Sequence, residues 1–446
     1  MNIVRKIPPT IGVLIGVSLY EIANTVLYLI APLFFPTLIT IIGMLTVFFY
    51  FRKAKLLNFK GNISIVFSIM IFWAIFMLLR GSLIGNYIPG GPYDTLSLIR
   101  RSVLNSFGAM TFFLPLIARI PFNTNDLYYF KKCAFFFCIV SLLMIVLARE
   151  QISFGLVSNG MTTIQDVNGD YLSVRALVSA AYPGFGFILL GLFCGSYFRS
   201  RITFIFPVAI FVYFISMAIG GGRGDSIFSL LYLLIFLYLL FKYPLVLHGQ
   251  SMSHSGSFSQ RLIAFLLIVG FGAILIYLYN QTEVFDYVLE RAFGDKTLST
   301  DIKSESRQIL VDSFYKDFND NPFDWIWGRG VNGSYKCAHL GINGRRAWME
   351  WGYLYLILKG GVVYLFLYVA CLLHAAYLGI KKSRNVLSKC LAMICLVLLF
   401  DLSSTNAEPQ FSTQFVITWV AFGLLEQTKF RMMSDDDVYN AFNTKP

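Results

Sequence analysis

The chain has 446 residues, 57% of them apolar and only 13% charged, with a net charge of +12 at pH 7. A soluble chain of this length would carry roughly twice that charged fraction, and the apolar residues gather in runs of about 17 to 22, the length that crosses a bilayer core. A polytopic membrane protein follows, and its positive balance points first to membrane topology, so no nucleic-acid partner is expected.

Six of the seven cysteines fall in or beside apolar runs, and Cys337 stands in a long loop without a loop partner, so no disulfide or C-x-x-C site is implied. Arg5-Lys6 before an apolar run imitates a signal peptide. No small-x-small site follows, so no cleavage is expected.

In chain order, Ile11–Ile30 and Thr37–Phe51 read as a hairpin of spans around Pro32 and Pro36. Ile63–Leu79 and Val103–Ala118 flank a Gly/Pro-rich loop, and Phe130–Leu147 precedes a second polar loop. Leu177–Tyr197 and Ile202–Ile219 form another hairpin. Ser226–Leu247, Leu262–Leu278, Gly352–Ile380, Val386–Leu402 and Ser412–Leu425 complete an all-α set of about 12 transmembrane helices. The whole of 1–446 reads as one integral membrane domain, with a large outer loop over 280–350 between helices 9 and 10 and a cytoplasmic tail over 427–446. No internal repeat is evident, which counts against transporters built from two similar halves.

Charge placement sets the orientation. With the N-terminus cytoplasmic, the inner segments collect Arg52, Lys53, Lys55, Lys60, Arg119, Lys131, Lys132, Arg199, Arg201, Lys242, Arg261, Lys381, Lys382, Arg384, Lys389, Lys429 and Arg431. They hold few acids apart from Asp435–Asp437. This is the positive-inside pattern, and it puts both termini in the cytoplasm. The outer loops carry most of the acids, and there Arg outnumbers Lys. Arg is the residue for a planar, bidentate grip on phosphate or carboxylate, so an anionic ligand at the outer face is expected; pairing with outer acids is the plainer alternative.

Several stretches there can carry chemistry. In Gly220–Asp225 the glycines Gly222 and Gly224 let backbone approach a ligand, beside Arg223 at the membrane boundary; a tight turn with a snorkelling Arg is the alternative. Arg175 opens a span that Pro183-Gly184 should kink, with Gly186 eleven residues after the Arg. Ser304-Glu305-Ser306-Arg307 reads as a capped helix start. Leu310, Phe314 and Phe318 then give a short amphipathic helix expected to lie on the outer membrane surface, ended by Asn321-Pro322. Trp325 and Trp327 suit an interface, and Gly328-Arg329-Gly330 makes a sharp turn. Arg345-Arg346 leads to Glu350 at the start of the next span; Glu350 is either a general base beside the arginines or a helix-dipole partner for them.

Glu21, deep in the first span, is assigned a structural role, far from the outer site. Asp401 and Glu408 face outward and are candidates to join the site, whereas His339 reads as simply exposed. No cofactor or metal is expected. Asp317-x-x-Asp320 is the best metal alternative, and a solvated acidic helix end explains it better.

These pieces, in this order, resemble the O-antigen polymerase and O-antigen ligase superfamily of membrane glycosyltransferases. Ile219–Asp225 is similar to the family's Ser-Arg-Gly turn, with Gly222 for Ser and Arg223 for its Arg. Ser306-Arg307, then Asn321-Pro322 and Gly328-Arg329-Gly330, resembles its S-R … P-x-x-G-x-G run, and Gly360 its glycine after the loop. The likeness covers roughly 175–380. Ligases carry His eleven residues or so before that glycine, where Met349-Glu350 stands here, which favours the polymerases. Arg175 to Gly186 fits the R-x10-G spacing of polymerases, whereas Arg346 lies fourteen residues before Gly360.

The resemblance implies a GT-C-like membrane fold in the bacterial inner membrane, and a part in O-antigen, lipopolysaccharide or related polysaccharide biosynthesis. The substrates it implies are glycan repeat units on undecaprenyl pyrophosphate, with a chain-length regulator and a flippase as possible partners. It makes Arg223 and Arg307 the groups on the departing pyrophosphate, Arg175 and Arg346 their helpers and Glu350 the base. The alternatives are a ligase transferring glycan to a lipid A core or protein, and a lipid-linked oligosaccharide flippase. A flippase needs no long outer loop with an amphipathic helix.

Overall fold

The computed structural model describes residues 7–24, 34–54, 62–83, 111–120, 123–147, 163–165, 171–173, 185–198, 205–219, 223–242, 298–337, 344–347, 349, 351–404 and 411–445. The expected span Leu262–Leu278 and the Pro183-Gly184 kink lie outside them.

The described chain is mostly helical. Helices α1 (Pro9–Ile22), α2 (Phe34–Lys53) and α3 (Asn62–Leu83) are followed by α4 (Thr124–Leu147). A two-stranded ribbon of β1 (Thr163–Gln165) and β2 (Tyr171–Ser173) precedes α5 (Phe185–Cys194), α6 (Ile205–Ile219) and α7 (Arg223–Lys242). A polar region follows: α8 (Leu298–Asn319), α9 (Phe323–Trp327), β3 (Tyr335–Lys336) and β4 (Arg345–Arg346). The chain ends with α10 (Gly352–Lys381), α11 (Val386–Ser404), α12 (Thr413–Glu426), α13 (Thr428–Arg431) and α14 (Asp435–Asn443).

Among the described residues, three helices are long and apolar enough to cross a membrane: α2, α10 and α11. Shorter apolar stretches occur in α1, α3, α5, α6, α7 and α12. At the expected span Val103–Ala118, the described end is a 3-10 helix, Leu114–Arg119, with Pro115 in its first turn, where a missing amide donor is tolerated.

The centre of the bundle is α12. It is apolar on every side and buried from Thr413 to Leu425, apart from Gln414. Its Trp419 meets Tyr368 of α10 edge-on at 5.4 Å between ring centroids and Phe67 of α3 at 5.9 Å. The α1–α2 hairpin closes through glycines: a Cβ at Gly16 would lie 2.7 Å from the Gly43 carbonyl oxygen. With lipid outside, helices gain little from hydrophobic burial against one another, and small residues that let backbones touch take over.

One end of the bundle is tied by the C-terminal segment. Arg431 donates to the Lys382 carbonyl at 2.9 Å, and Asn385 to that of Phe430 at 2.9 Å. Ser434 and Asp437 form a reciprocal cap that starts α14. Val438 and Phe442 bury the inner face of α14, with the Phe442 ring against Phe198 and Tyr197. Arg119 pairs with Glu426 at 3.5 Å at the foot of α12. The tail is therefore a docked helix.

Glu21 caps the opposite end of α12. Its carboxylate accepts from the Thr413 amide at 2.8 Å and from the Thr413 hydroxyl at 2.9 Å. That geometry satisfies a helix N-terminus inside the bundle, a structural task.

Candidate functional site

The polar region forms a lobe with its own small core. Helix α8 begins at Leu298, not at Ser304, so Ser304 is an interior helix residue and not the expected cap. Its apolar stripe, Leu310, Phe314 and Phe318, does not lie on a membrane surface. It is buried within the lobe, where Phe314 meets Tyr335 at 5.6 Å and Phe318 meets Trp325 at 5.3 Å. Burying each such side chain contributes about 1.5–3 kcal/mol. The stripe found a protein partner because the chain returns over it as β3, paired antiparallel with β4.

Arg329 stands at the middle of the lobe and is fully buried, at 0% exposure. It donates to the Asp317 carboxylate, to Asp324 Oδ2 at 2.8 Å, to the Ser334 carbonyl at 2.9 Å and to the Asp317 carbonyl at 3.1 Å. Its guanidinium lies 4.5 Å from the Phe318 ring centre. Arg80, from the end of α3, binds the other oxygen of Asp324 at 2.8 Å and the Gly328 carbonyl at 2.6 Å. Two guanidiniums thus face two carboxylates, and the exposed Lys336 ammonium lies 3.8 Å from Asp317 Oδ1.

Such a buried cluster gains little net stability, because desolvation offsets the Coulomb attraction, but it fixes geometry. Asp317 also accepts from the Lys336 amide at 2.7 Å. Burial pushes its carboxyl up. The hydrogen bonds from Arg329 and Lys336, with the charges of Arg329 and Arg345, outweigh that and hold it below the usual carboxylate value. Asp317 is thus committed to Arg329 rather than free to pair with Asp320 as a metal ligand.

The lobe is seated in a break of α10. Gly361 has φ 72° and ψ 179°, which interrupts the helix and suits only glycine. Around the break, three carbonyls accept from outside the helix. Leu358 takes the Arg329 amide at 2.8 Å, Lys359 the Gly330 amide at 2.9 Å, and Gly360 the Trp73 indole N–H at 2.8 Å. The approach needs glycine on both sides: a Cβ at Gly361 would lie 1.9 Å from the Ile326 carbonyl oxygen, and one at Gly328 2.5 Å from the Gly360 nitrogen. Trp327 stacks on Trp73 at 5.3 Å, with the rings 9° from parallel. Lys359 is buried beside the junction, donating to the Gly333 and Ala347 carbonyls at 2.8 Å each.

The sequence-derived candidates fall as follows. Arg346 lies in β4, half-buried, paired through backbone with Tyr335. Its neighbour Arg345 is used within the lobe, donating to the Ser334 hydroxyl at 3.0 Å and carbonyl at 3.1 Å. Arg307 belongs to α8, which packs on β3, so the structure joins the chain around Arg307 and Arg346 in one unit. Arg223 is the first residue of α7 and Gly224 the second; α7 belongs to the bundle and packs on α11 through Phe228 and Phe400. Asp401 is buried in the last turn of α11. Arg175, Gly222, Glu350, His339 and Glu408 lie outside the described residues.

Sequence reasoning missed Arg80, Asp324, Arg329 and Lys359 as a set. The available signal was the wealth of charge around an apolar segment. The pairing itself runs from α3 to α9, which no local pattern reveals.

No family model, curated protein or solved structure matches the chain. Fold and composition define a helical membrane protein with a polar lobe locked into a broken helix.

Proposed function

We propose that the chain is a membrane glycosyltransferase of the polysaccharide-polymerase kind, with about twelve spans in a GT-C-like arrangement. It joins undecaprenyl-pyrophosphate-linked repeat units at the outer face of the bacterial cytoplasmic membrane. The hydroxyl of one unit attacks the anomeric carbon of the growing glycan. Glu350 takes the proton, and the lipid pyrophosphate leaves toward Arg223 and Arg307, with Arg175 and Arg346 assisting. Gly222 and Gly224 leave room for the pyrophosphate beside the backbone. A developing pyrophosphate charge needs fixed cations, which cost no reorganisation when already held in place.

The observation that carries this reading is the seating of the lobe. The helix of Arg307 and the strand of Arg346 share one unit, locked to a membrane-length helix at its Gly361 break. The C-terminal tail docks at the other end of that helix through Arg431. An outer lobe and a cytoplasmic tail fit this arrangement, and so do cytoplasmic termini.

The test is elongation by purified protein in liposomes supplied with an undecaprenyl-pyrophosphate oligosaccharide. Arg223→Ala and Arg307→Ala should each slow elongation by about 10²-fold, with the melting temperature unchanged. Arg345→Ala should lower the melting temperature instead, because its side chain braces Ser334. Full elongation by both Arg223→Ala and Arg307→Ala would remove the proposed pyrophosphate site.

A further inference from the structure

We propose that Phe323–Ser334 is a re-entrant segment, and that Phe323, Ile326 and Trp327 are immersed in lipid acyl chains on the lobe side of the membrane. The inference concerns the lobe's partner surface and is independent of the reaction.

Depth is the first argument. The segment runs along α3 from its last turn, where Arg80 and Gly81 meet Gly328 and Gly330, to the middle of the helix. Trp327 stacks on Trp73, ten residues before the end of α3 at Leu83. At about 1.5 Å of rise per residue that is roughly 15 Å, half the thickness of a bilayer core. The Ile326 carbonyl abuts Gly361, nine residues inside α10.

Polarity is the second. Irregular backbone at membrane depth is tolerated only when buried in protein with its polar groups satisfied. Gly328, Arg329, Gly330, Val331, Gly333 and Ser334 are buried. Their amides at 329, 330 and 331 bond to the carbonyls of Leu358, Lys359 and Met77. The charges are matched internally, Arg80 and Arg329 against Asp317 and Asp324. The segment turns toward the bundle everything that lipid would reject.

The outward edge is the third. Phe323 is 76% exposed, and Ile326 and Trp327 are exposed beside it. Trp327 also meets Phe76 at 5.7 Å, which joins this edge to the exposed stripe of α3: Ile65, Ile69, Phe72, Ile75 and Leu79. That stripe follows helical spacing, and its Phe72 is 69% exposed. A continuous apolar face of this extent on an apolar helix of 22 residues is suited to acyl chains. Just before the edge, Asp320, Asn321 and Pro322 are exposed, marking where the chain leaves water.

The test places single cysteines at Phe323 and Ile326, with Lys336→Cys as a water-facing control, and labels them with a small environment-sensitive fluorophore. The protein is reconstituted in phosphatidylcholine liposomes, and signal from the native cysteines is subtracted using the unsubstituted protein. Both edge positions should be quenched several-fold more by lipids brominated in the acyl chain than the control, and less by aqueous iodide. Iodide quenching equal to the control's would put the edge in water and overturn the proposal. Quenching by neither agent would mean that protein covers it, a second copy or another part of the chain, and would overturn it as well. The substituted positions are exposed, so an unchanged melting temperature certifies the fold in each variant.

Discussion

At the residue scale the account rests on Arg329. Four of its donors meet two carboxylates and two carbonyls, an arrangement that lysine cannot reproduce. Arg329→Ala leaves Asp317 and Asp324 buried without their partner, and should cost about 3–5 kcal/mol, read as a lower melting temperature in detergent. Arg329→Lys should recover only part of that loss.

The same cluster sets an acid limit. Because Asp317 titrates below its ordinary value when folded, its contribution is fully present above the unfolded carboxyl pKa, near 3.8. It is lost as pH falls through the folded pKa. Lobe stability should therefore be flat from neutral pH to about 4–5 and decline below that. Asp317→Asn should flatten the decline while lowering the plateau. A decline that begins near pH 6 would point to another group.

At the scale of elements, the break in α10 decides how lobe and bundle meet. Gly361→Ala must accept both a left-handed φ and a contact with the Ile326 carbonyl, and should cost on the order of 3 kcal/mol. Gly344 provides the comparison: its φ is also positive, at 71°, but nothing lies within 4 Å of an added Cβ. Gly344→Ala should therefore cost only about 1–2 kcal/mol. Limited proteolysis should release the lobe in the Gly361 variant and leave it intact in the other. Glu21→Ala should cost about 1–2 kcal/mol through loss of the α12 cap, and Glu21→Gln less, because an amide oxygen still accepts one bond.

These elements also show what sequence reasoning reads well. The boundaries of α10, α11 and α12 were legible to within a residue or two, since long apolar runs stop at charges or polar loops. The break at Gly361 was not, because a Gly-Gly pair in an apolar run reads as tolerated flexibility until a partner backbone arrives from Ile326, far upstream in the chain. The stripe of α8 was legible, but what covers it was not. A stripe of Leu310, Phe314 and Phe318 fits a bilayer surface as well as Tyr335 and Trp325.

At the scale of the molecule, the lobe and the docked tail hold opposite ends of α10, with α12 as the axis between them. The proposed chemistry draws on both bundle and lobe: Arg223 opens a bundle helix, whereas Arg307 and Arg346 belong to the lobe. Locking the lobe to the broken helix would keep these arginines in register, and an enzyme that stabilises a leaving pyrophosphate depends on such preorganisation. A variant that loosens the junction, such as Gly361→Ala, should lose elongation even where it still inserts in the membrane.

The most direct measurement is the surface-glycan ladder of a strain lacking this chain, run beside its extracted lipid-linked glycans and complemented with wild type or Arg223→Ala. A polymerase leaves single repeat units at the surface and no ladder, which wild type restores and Arg223→Ala does not. Long chains held on the lipid carrier, with nothing reaching the final acceptor, would contradict the account in favour of a ligase. Single units held on the cytoplasmic side would contradict it in favour of a flippase.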